Sequence, residues 1–519
     1  MLLLVLFIAL LNSKLVEYTL NVEYKWMTIT DVQNYRKAVI CVNGSNVGPI
    51  IRANQNDILR INVINNLFTE GISVHWHGIK MKGFPYMDGT PMISECPIPV
   101  GTNKTYEFPV PDHGTFFYHS HIEMQMKDSF FGALIIDDIN EKTKLIYDEE
   151  YIIVFSDFHK QDSEELIQML KSVPFEWTGQ PYRLLANGMT DFNMSVSYGK
   201  TYLIRFISAV AHSYLNISIP GHNVSIVEVE GTYTDPLNVS HIWLNEGQRY
   251  TVLLTANNIG CYHINISSMS DPINLLIGLT YNDINCNNTN YISTINDNFF
   301  NTSLLENKYH VDLPNPNKNL SLVMTVKRVH GTGKLFVYNN NSFVFPTVPI
   351  LLSYYLGTYI PNNETTIINV ELNDVIDIEL INDSPFQHSF HEHHHSFYVL
   401  NSNKPVIRDV VTIESNERVT IRVVFDNPSI TLAHCHSSMH LVQQLVIVFA
   451  YPANTITKPD DNFIICGRTF GEIKQRQKLI NTIYSLGTMI VLMLIAVVIT
   501  LIVVYKKKRL EEERMRLIV

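Results

Sequence analysis

Half of the 20 histidines in this 519-residue chain fall into four short clusters. These are His75-Trp76-His77-Gly78, His119-Ser120-His121, His388-Ser389-Phe390-His391-Glu392-His393, and His434-Cys435-His436 followed by His440. Their shared element is His-x-His. On a β-strand, residues i and i+2 face the same side, so each pair presents two imidazoles together. Four pairs supply eight nitrogen ligands for metal. Parity sorts the other donors into a second set. Cys435, between two histidines, faces the opposite way, and His388, an odd three positions before His391, faces away from His391 and His393. His440, beyond a turn, can complete this set. Two imidazoles and a thiolate are the donors of a blue-copper electron-transfer site, and the Cys435 backbone joins it covalently to the first set. Zinc accepts the same donors, but a zinc site takes three or four, and eleven convergent ligands are an odd way to supply them. A lone His-x-His is commonly a surface or core pair; four of them, one with an embedded cysteine, are not.

To position these clusters the chain must supply many short strands. Runs of Val, Ile, Thr and Tyr alternate with Asn, Gly and Pro, which reads as an all-β body. A length of 519 residues with 46% apolar and 17% charged residues predicts about three domains. Residues 17–140 hold the first two clusters. Residues 141–310 carry many Asn-x-Ser/Thr sequons and no paired histidines. Residues 311–465, after Pro314 and Pro316, hold the other two clusters, and the paired histidines in the first and third blocks suggest domain-scale duplication. A net charge of −11 leaves no basic domain to neutralise phosphates, which argues against a nucleic-acid partner.

The ends of the chain are apolar. Met1 to Leu11 reads as the core of a signal peptide spanning residues 1–16. Ile483 to Tyr505 is almost unbroken apolar sequence, about 34 Å long as a helix and enough to cross a bilayer. A polar juxtamembrane linker is expected over 466–482 and a cytoplasmic tail over 506–519, because Lys506, Lys507, Lys508 and Arg509 are retained inside. The body is then extracellular or lumenal, on the plasma membrane or another secretory membrane. Sequons at Asn43, Asn103, Asn193, Asn216, Asn223, Asn238, Asn265, Asn319 and Asn363 agree. Six cysteines are too few for a disulfide scaffold. With Cys435 taken as a ligand, at most two bridges form and one thiol stays free.

In order and spacing the four clusters resemble those of the multicopper oxidases, the group of laccases and ferroxidases. Tyr86-Met87-Asp88-Gly89 leading to Glu95-Cys96-Pro97-Ile98, Gly114 to Tyr118, Gly132 to Ile136, and Asp426-Asn427-Pro428 extend the similarity over about residues 20–465. It is weak in the middle block. The resemblance implies three cupredoxin-like Greek-key β-sandwich domains, followed here by the C-terminal transmembrane helix. It implies four copper ions: type 1 on His388, Cys435 and His440, type 2 on His75 and His391, and a type 3 pair on His77, His119, His121, His393, His434 and His436. The implied reaction passes electrons singly from a phenol, catechol or similar donor through His440 and Cys435 to the cluster, where O₂ becomes water. A ferroxidase, with Fe²⁺ as donor and an iron permease as partner, is the rival; it needs carboxylates beside the type 1 histidines, and Asp383 lies near His388. A copper-binding surface protein without turnover is a third reading. Asp88 matches a family carboxylate thought to help deliver protons. Leu445 falls at the axial position, where Leu cannot ligate. Cys96 and Cys466 match positions bridged in some relatives, and Cys261 with Cys286 is a second candidate pair. Departures from the pattern are Ser389 for Pro, Glu392 for Leu, His394 for Gly, Ser437 and Met439 for Ile and an aromatic residue, Ser438 for an acid, and Gln444 for Gly. No ligand is lost. His394 and His395 are expected to surround the site or lie on the surface.

Overall fold

The computed structural model describes residues 13–516 except 29–35, 141–144, 176, 178, 223, 283, 285–290, 293–301, 329–333, 361–365 and 403. Most of the expected signal peptide, Cys286, Asn223 and Asn363 lie outside the described residues. The chain divides into two units, 1–458 and 459–519.

The first unit contains three pairs of β-sheets, in sequence order. Each pair repeats one connection pattern. A strand that opens the block pairs parallel with a later one: Leu15–Thr28 with Ile58–Asn65, Glu149–Phe158 with Thr201–Ser208, and Lys318–Arg328 with Asp374–Asn382. A second parallel pair closes the other sheet: Ile51–Asn54 with Phe131–Asp137, Asn193–Val196 with Asn274–Tyr281, and Ile367–Asn369 with Val446–Ala450. The repeat thus includes the middle block, although it has no histidine pairs. The first strand starts at Leu15, two residues ahead of the expected domain start.

Alternation of apolar and polar residues sets the register. Ile58–Asn65 and Asp374–Asn382 bury every second residue, as a half-covered strand should. The histidine-bearing strands His75–His77, Gly114–His119, His388–Glu392 and Ile430–Cys435 are instead buried on both faces. Between His75 and His77, Trp76 points the other way and packs edge-on against Tyr106, fully buried. Burial of a large apolar side chain stabilises by about 1.5–3 kcal/mol, and here it also fixes which face the imidazoles take.

Cys96, Cys261 and Cys466 are disulfide-bonded, whereas Cys41 and Cys435 are free and buried. The spare thiol is therefore Cys41. The sequon asparagines Asn43, Asn103, Asn193, Asn238 and Asn319 are exposed.

In the second unit, a short hairpin of Ile464–Ile465 with Arg468–Thr469 leads into one helix, Phe470–Arg516. The helix runs through most of the expected linker at 466–482 and all of the expected span at 483–505. A capping box explains the early start: the Thr469 hydroxyl accepts from Glu472 N–H, and Glu472 Oε2 accepts from Thr469 N–H. The stretch Phe470–Leu510 is long and apolar enough to cross a membrane, and none of its most apolar segment is buried within the protein.

Candidate metal centre

Strand register brings the clusters together. His75 lies opposite His119, and His391 opposite His434, while Phe390 and Cys435 form the neighbouring pair on the alternate face. Only His75 and His77 lie wholly within one strand. The others end at His119, Glu392 and Cys435, so His121, His393 and His436 come from the residues just beyond. Backbone bonds hold two of these extensions: His393 N–H donates to Leu432 O at 3.0 Å and His436 N–H to Ser389 O at 2.7 Å.

Eight imidazoles then meet between the first and third blocks. His121 Nε2 lies 3.3 Å, and His393 Nε2 3.2 Å, from His434 Nε2. His436 Nε2 lies 3.1 Å from His77 Nδ1. His75 stacks on His393, and His77 on His391, each with ring centroids 3.9 Å apart. The second set gathers within the third block: His440 Nδ1 is 3.1 Å from His388 Nδ1 and 3.2 Å from Cys435 Sγ. All eleven predicted ligands are buried.

Four rings are aimed by main-chain carbonyls. The Nδ1 atoms of His75, His119, His391 and His434 bond to the carbonyls of Asp88, Ser120, Asp409 and Cys435 at 2.8–3.0 Å. A ring that donates from Nδ1 presents Nε2 as a bare lone pair. Nε2 of His75, His119 and His391 is buried with no hydrogen-bond partner. An unsatisfied buried polar atom costs about 1–3 kcal/mol; several converging ones fit a cation that accepts imidazole nitrogen. His77 reverses the pattern, with Nε2 on Asp409 Oδ1 at 3.2 Å and Nδ1 toward the cluster.

The electrostatics favour the ligand form. Burial first, then neighbouring imidazoles, lowers His77, His121, His391, His436 and His440 well below the usual histidine range. Burial lowers His434 to about 4 and His388 to about 3. Burial first, then Glu246, pushes the Cys435 thiol up, so ionisation there calls for a bound cation.

Asp88 sits against the cluster. Its carboxylate accepts from Thr90 Oγ1, lies 3.1 Å from His393 Nδ1 and is 3.3 Å from His394 Nε2. Burial would raise its pKa, but His393, His394 and His75 outweigh it and hold Asp88 well below the usual range. The next residue must be glycine: Gly89 has φ +78°, and a Cβ there would meet Val74 O at 1.7 Å.

Three groups beyond the motifs complete the support. Asp409 receives His77 on its side chain and His391 on its carbonyl. It forms a two-pronged pair with Arg249 of the middle block at 2.5 and 2.6 Å, both residues buried. Gly247 (φ +77°) lies so close to the His436 ring that a Cβ would meet it at 2.8 Å. No local signal marks these residues in the sequence.

At the second set, Ser384 Oγ, not Asp383, takes His388 Nε2 at 2.8 Å, and Asp383 is exposed. Burial, then His388 and His212, lowers His440, and His212 lies 3.6 Å from Asp271. Phe336 lies 4.2 Å and Phe386 6.2 Å from the His440 ring. Leu445 is fully buried; its N–H donates to His440 O and its carbonyl accepts from Cys435 N–H.

The departures also find places. Ser389 Oγ donates to Glu246. The buried acid Glu392 lies 3.6 Å from His395 Nδ1, and His395 Nε2 lies 3.0 Å from Tyr451 Oη. His394 and His395 are buried, which removes the surface alternative for both. His394 (φ +63°) and Gln444 (φ +73°) keep the left-handed backbone that glycine suits. Ser437 Oγ and Ser438 N–H both donate to Ala211 O, and Met439 packs with Met124 and Leu170.

Comparison with known proteins places this geometry. Three sequence models described as multicopper oxidase match residues 21–141, 149–286 and 336–455. Laccase-5 of Trametes versicolor is 31% identical over 80% of this chain and 86% of its own length. L-ascorbate oxidase of Cucumis sativus is 29% identical over 88% of this chain and 92% of its own. The crystal structure of Fet3p, described as a multicopper oxidase that functions in iron import, superposes with a TM-score of 0.79 at 24% identity, covering 86% of this chain and 92% of that one. The chain belongs to the multicopper oxidase family, a group of copper oxidoreductases, and its three sandwiches have the cupredoxin-like fold.

Proposed function

We propose that the protein is a laccase-like oxidase that takes single electrons from a phenol, an enediol or a similar donor and reduces O₂ to water. The observation that carries this reading is the His434-Cys435-His436 segment, whose cysteine belongs to one ligand set and whose histidines belong to the other. In this reading His388, Cys435 and His440 hold a type 1 copper. His75 and His391 hold type 2, and His77, His119, His121, His393, His434 and His436 hold the type 3 pair. Copper supplies reversible one-electron chemistry and the O₂-binding centre.

The chain's own residues do the rest. Phe336 and Phe386 flank His440 and offer a planar donor an apolar approach. Cys435 ties the entry site to its neighbours through two peptide bonds. Asp88, between His393 and His394, holds and releases protons beside the cluster. Arg249 and Asp409 fix the His77 and His391 rings. Leu445, buried beside Cys435 and His440, has no donor atom to offer a copper held there, which would favour a higher potential.

The Phe336 and Phe386 rings beside His440 favour an organic donor over Fe²⁺. The apolar C-terminal helix and the likeness to Fet3p support the second reading, a surface ferroxidase with a permease partner. In either case the helix anchors the protein, with the sequon-bearing body outside and the Lys506–Arg509 end inside. Oxygen uptake by copper-loaded protein with catechol, ascorbate or Fe²⁺ separates the readings. Turnover on catechol or ascorbate at four electrons per O₂ is expected. Tight Fe²⁺ use with poor organic turnover overturns the first reading, and no uptake with any donor overturns both.

A further inference from the structure

The middle block reaches both ligand sets through one turn. Asn245-Glu246-Gly247-Gln248 belongs to the second sandwich, yet it lies against the His388–Glu392 strand of the third. Ser389 Oγ donates to Glu246 Oε2 at 2.7 Å. Asn245 Nδ2 donates to Thr412 Oγ1 at 2.6 Å, and Thr412 is the residue opposite Ser389 in the sheet. Gly247 packs on the His436 ring. The Ser389 carbonyl in turn accepts His436 N–H at 2.7 Å. Ser389 therefore sits where three things meet: the turn, the backbone of His388 and the backbone of His436.

Glu246 is an unusual residue for such a place. It is fully buried, and its Oε1 has no hydrogen-bond partner. Burial, with Asp157 adding, pushes its pKa up to about 8, and no cation is among the groups that act on it. At neutral pH it is mostly a neutral acid, because an unpaired buried charge is costly. A neutral acid there brings shape and a hydrogen-bond acceptor rather than charge. Its partner, Ser389, stands where the family pattern has Pro, a residue with no hydroxyl to offer.

We infer that Glu246 is a positioning residue for internal electron transfer, clamping Ser389 and thereby setting the placement of His388 relative to the Cys435-His436 segment. The inference rests on the assignment of those residues as copper ligands. It predicts that the clamp acts through Ser389 and not through general stability.

The test uses the full-length copper-loaded protein with Glu246→Leu, Glu246→Gln, Ser389→Ala and the Glu246→Leu/Ser389→Ala double variant. Three readouts are taken: the blue absorption and EPR spectrum of the type 1 copper, the rate at which reduced type 1 copper is reoxidised by the cluster, and Tm. Glu246→Leu and Ser389→Ala are each expected to shift the spectrum and slow the internal transfer about tenfold, within the range for residues that support metal ligands. The double variant is expected to be no slower than either, because both remove one clamp. Glu246→Gln keeps the shape and the acceptor, so it is expected to restore the wild-type spectrum and rate. Wild-type spectra and rates in both Ser389→Ala and Glu246→Leu, with only Tm lowered, overturn the inference. If Glu246→Leu does not fold, Ser389→Ala against Glu246→Gln decides the matter alone. A wild-type protein without the blue band overturns the ligand assignment instead.

Discussion

The two ligand sets differ in how much of the molecule they need. His388, Cys435 and His440 lie within one sandwich, on two paired strands and the short helix that follows. The eight-histidine set takes half its rings from the first block and half from the third, and Arg249 and Gly247 of the middle block brace it. On the proposed reading, electron entry is thus a local construction and the O₂ site an assembly product. Damage to the first set should stay local, while damage at the Arg249–Asp409 contact should disable the second set and leave the first standing.

The sharpest separation comes from Cys435→Ser. It is expected to abolish the blue absorption and steady-state oxidation, while copper bound by the eight imidazoles remains detectable by EPR and metal analysis. Loss of all copper instead would mean the two sets do not form independently. Asp409→Ala tests the converse. It leaves Arg249 buried without its partner, which costs about 3–5 kcal/mol, and it frees the His77 ring. The blue band should persist while O₂ reduction fails and the unfolding midpoint drops.

Acid should also tell the sets apart by sheer number of rings. A histidine whose folded pKa lies below the unfolded value near 6.5 binds fewer protons when folded. Stability of the copper-free protein should therefore be full above about pH 6.5 and fall as pH drops toward the folded values. His434 alone, lowered to about 4, contributes up to roughly 3 kcal/mol of that loss. Chemical denaturation of chelated protein between pH 7 and 4 reads it, and a flat profile would count against neutral buried imidazoles. Asp88→Asn is a smaller perturbation. Turnover should fall about ten- to a hundredfold, more at high pH than at low, with type 1 reduction by substrate unchanged. The smallest effect belongs to Gln444→Gly. Removing a side chain from φ +73° should raise stability by about 1 kcal/mol without altering spectra.

The local set and the four motifs were legible because strand parity is written in adjacent residues. Even there the geometry was partly generous, since His121, His393 and His436 lie past their strand ends and are held by backbone bonds rather than by alternation. What could not be read were the long-range partners. Arg249 and Asp409 are 160 positions apart, and nothing local distinguishes either from a surface charge. Glu246 precedes a glycine and carries no local sign that it is fully buried. His394 and His395 could have been surface groups, because a run of histidines carries no signal of burial. Asp383 is near His388 in sequence, but the Ser384 hydroxyl is what bonds that ring, and Asp383 is exposed. The helix start at Phe470 was not read, because the polar residues that follow mask the capping-box spacing of Thr469 and Glu472.

The carbonyl anchors beneath His75, His119, His391 and His434 have a bearing on how the protein can change over generations. Peptide oxygens are present whatever amino acid occupies the position, so the aim of these rings is inherited with the path of the chain and not with its lettering. That leaves neighbouring side chains freer to vary, and Glu392 and His394 differ from the family pattern while the rings beside them keep their aim.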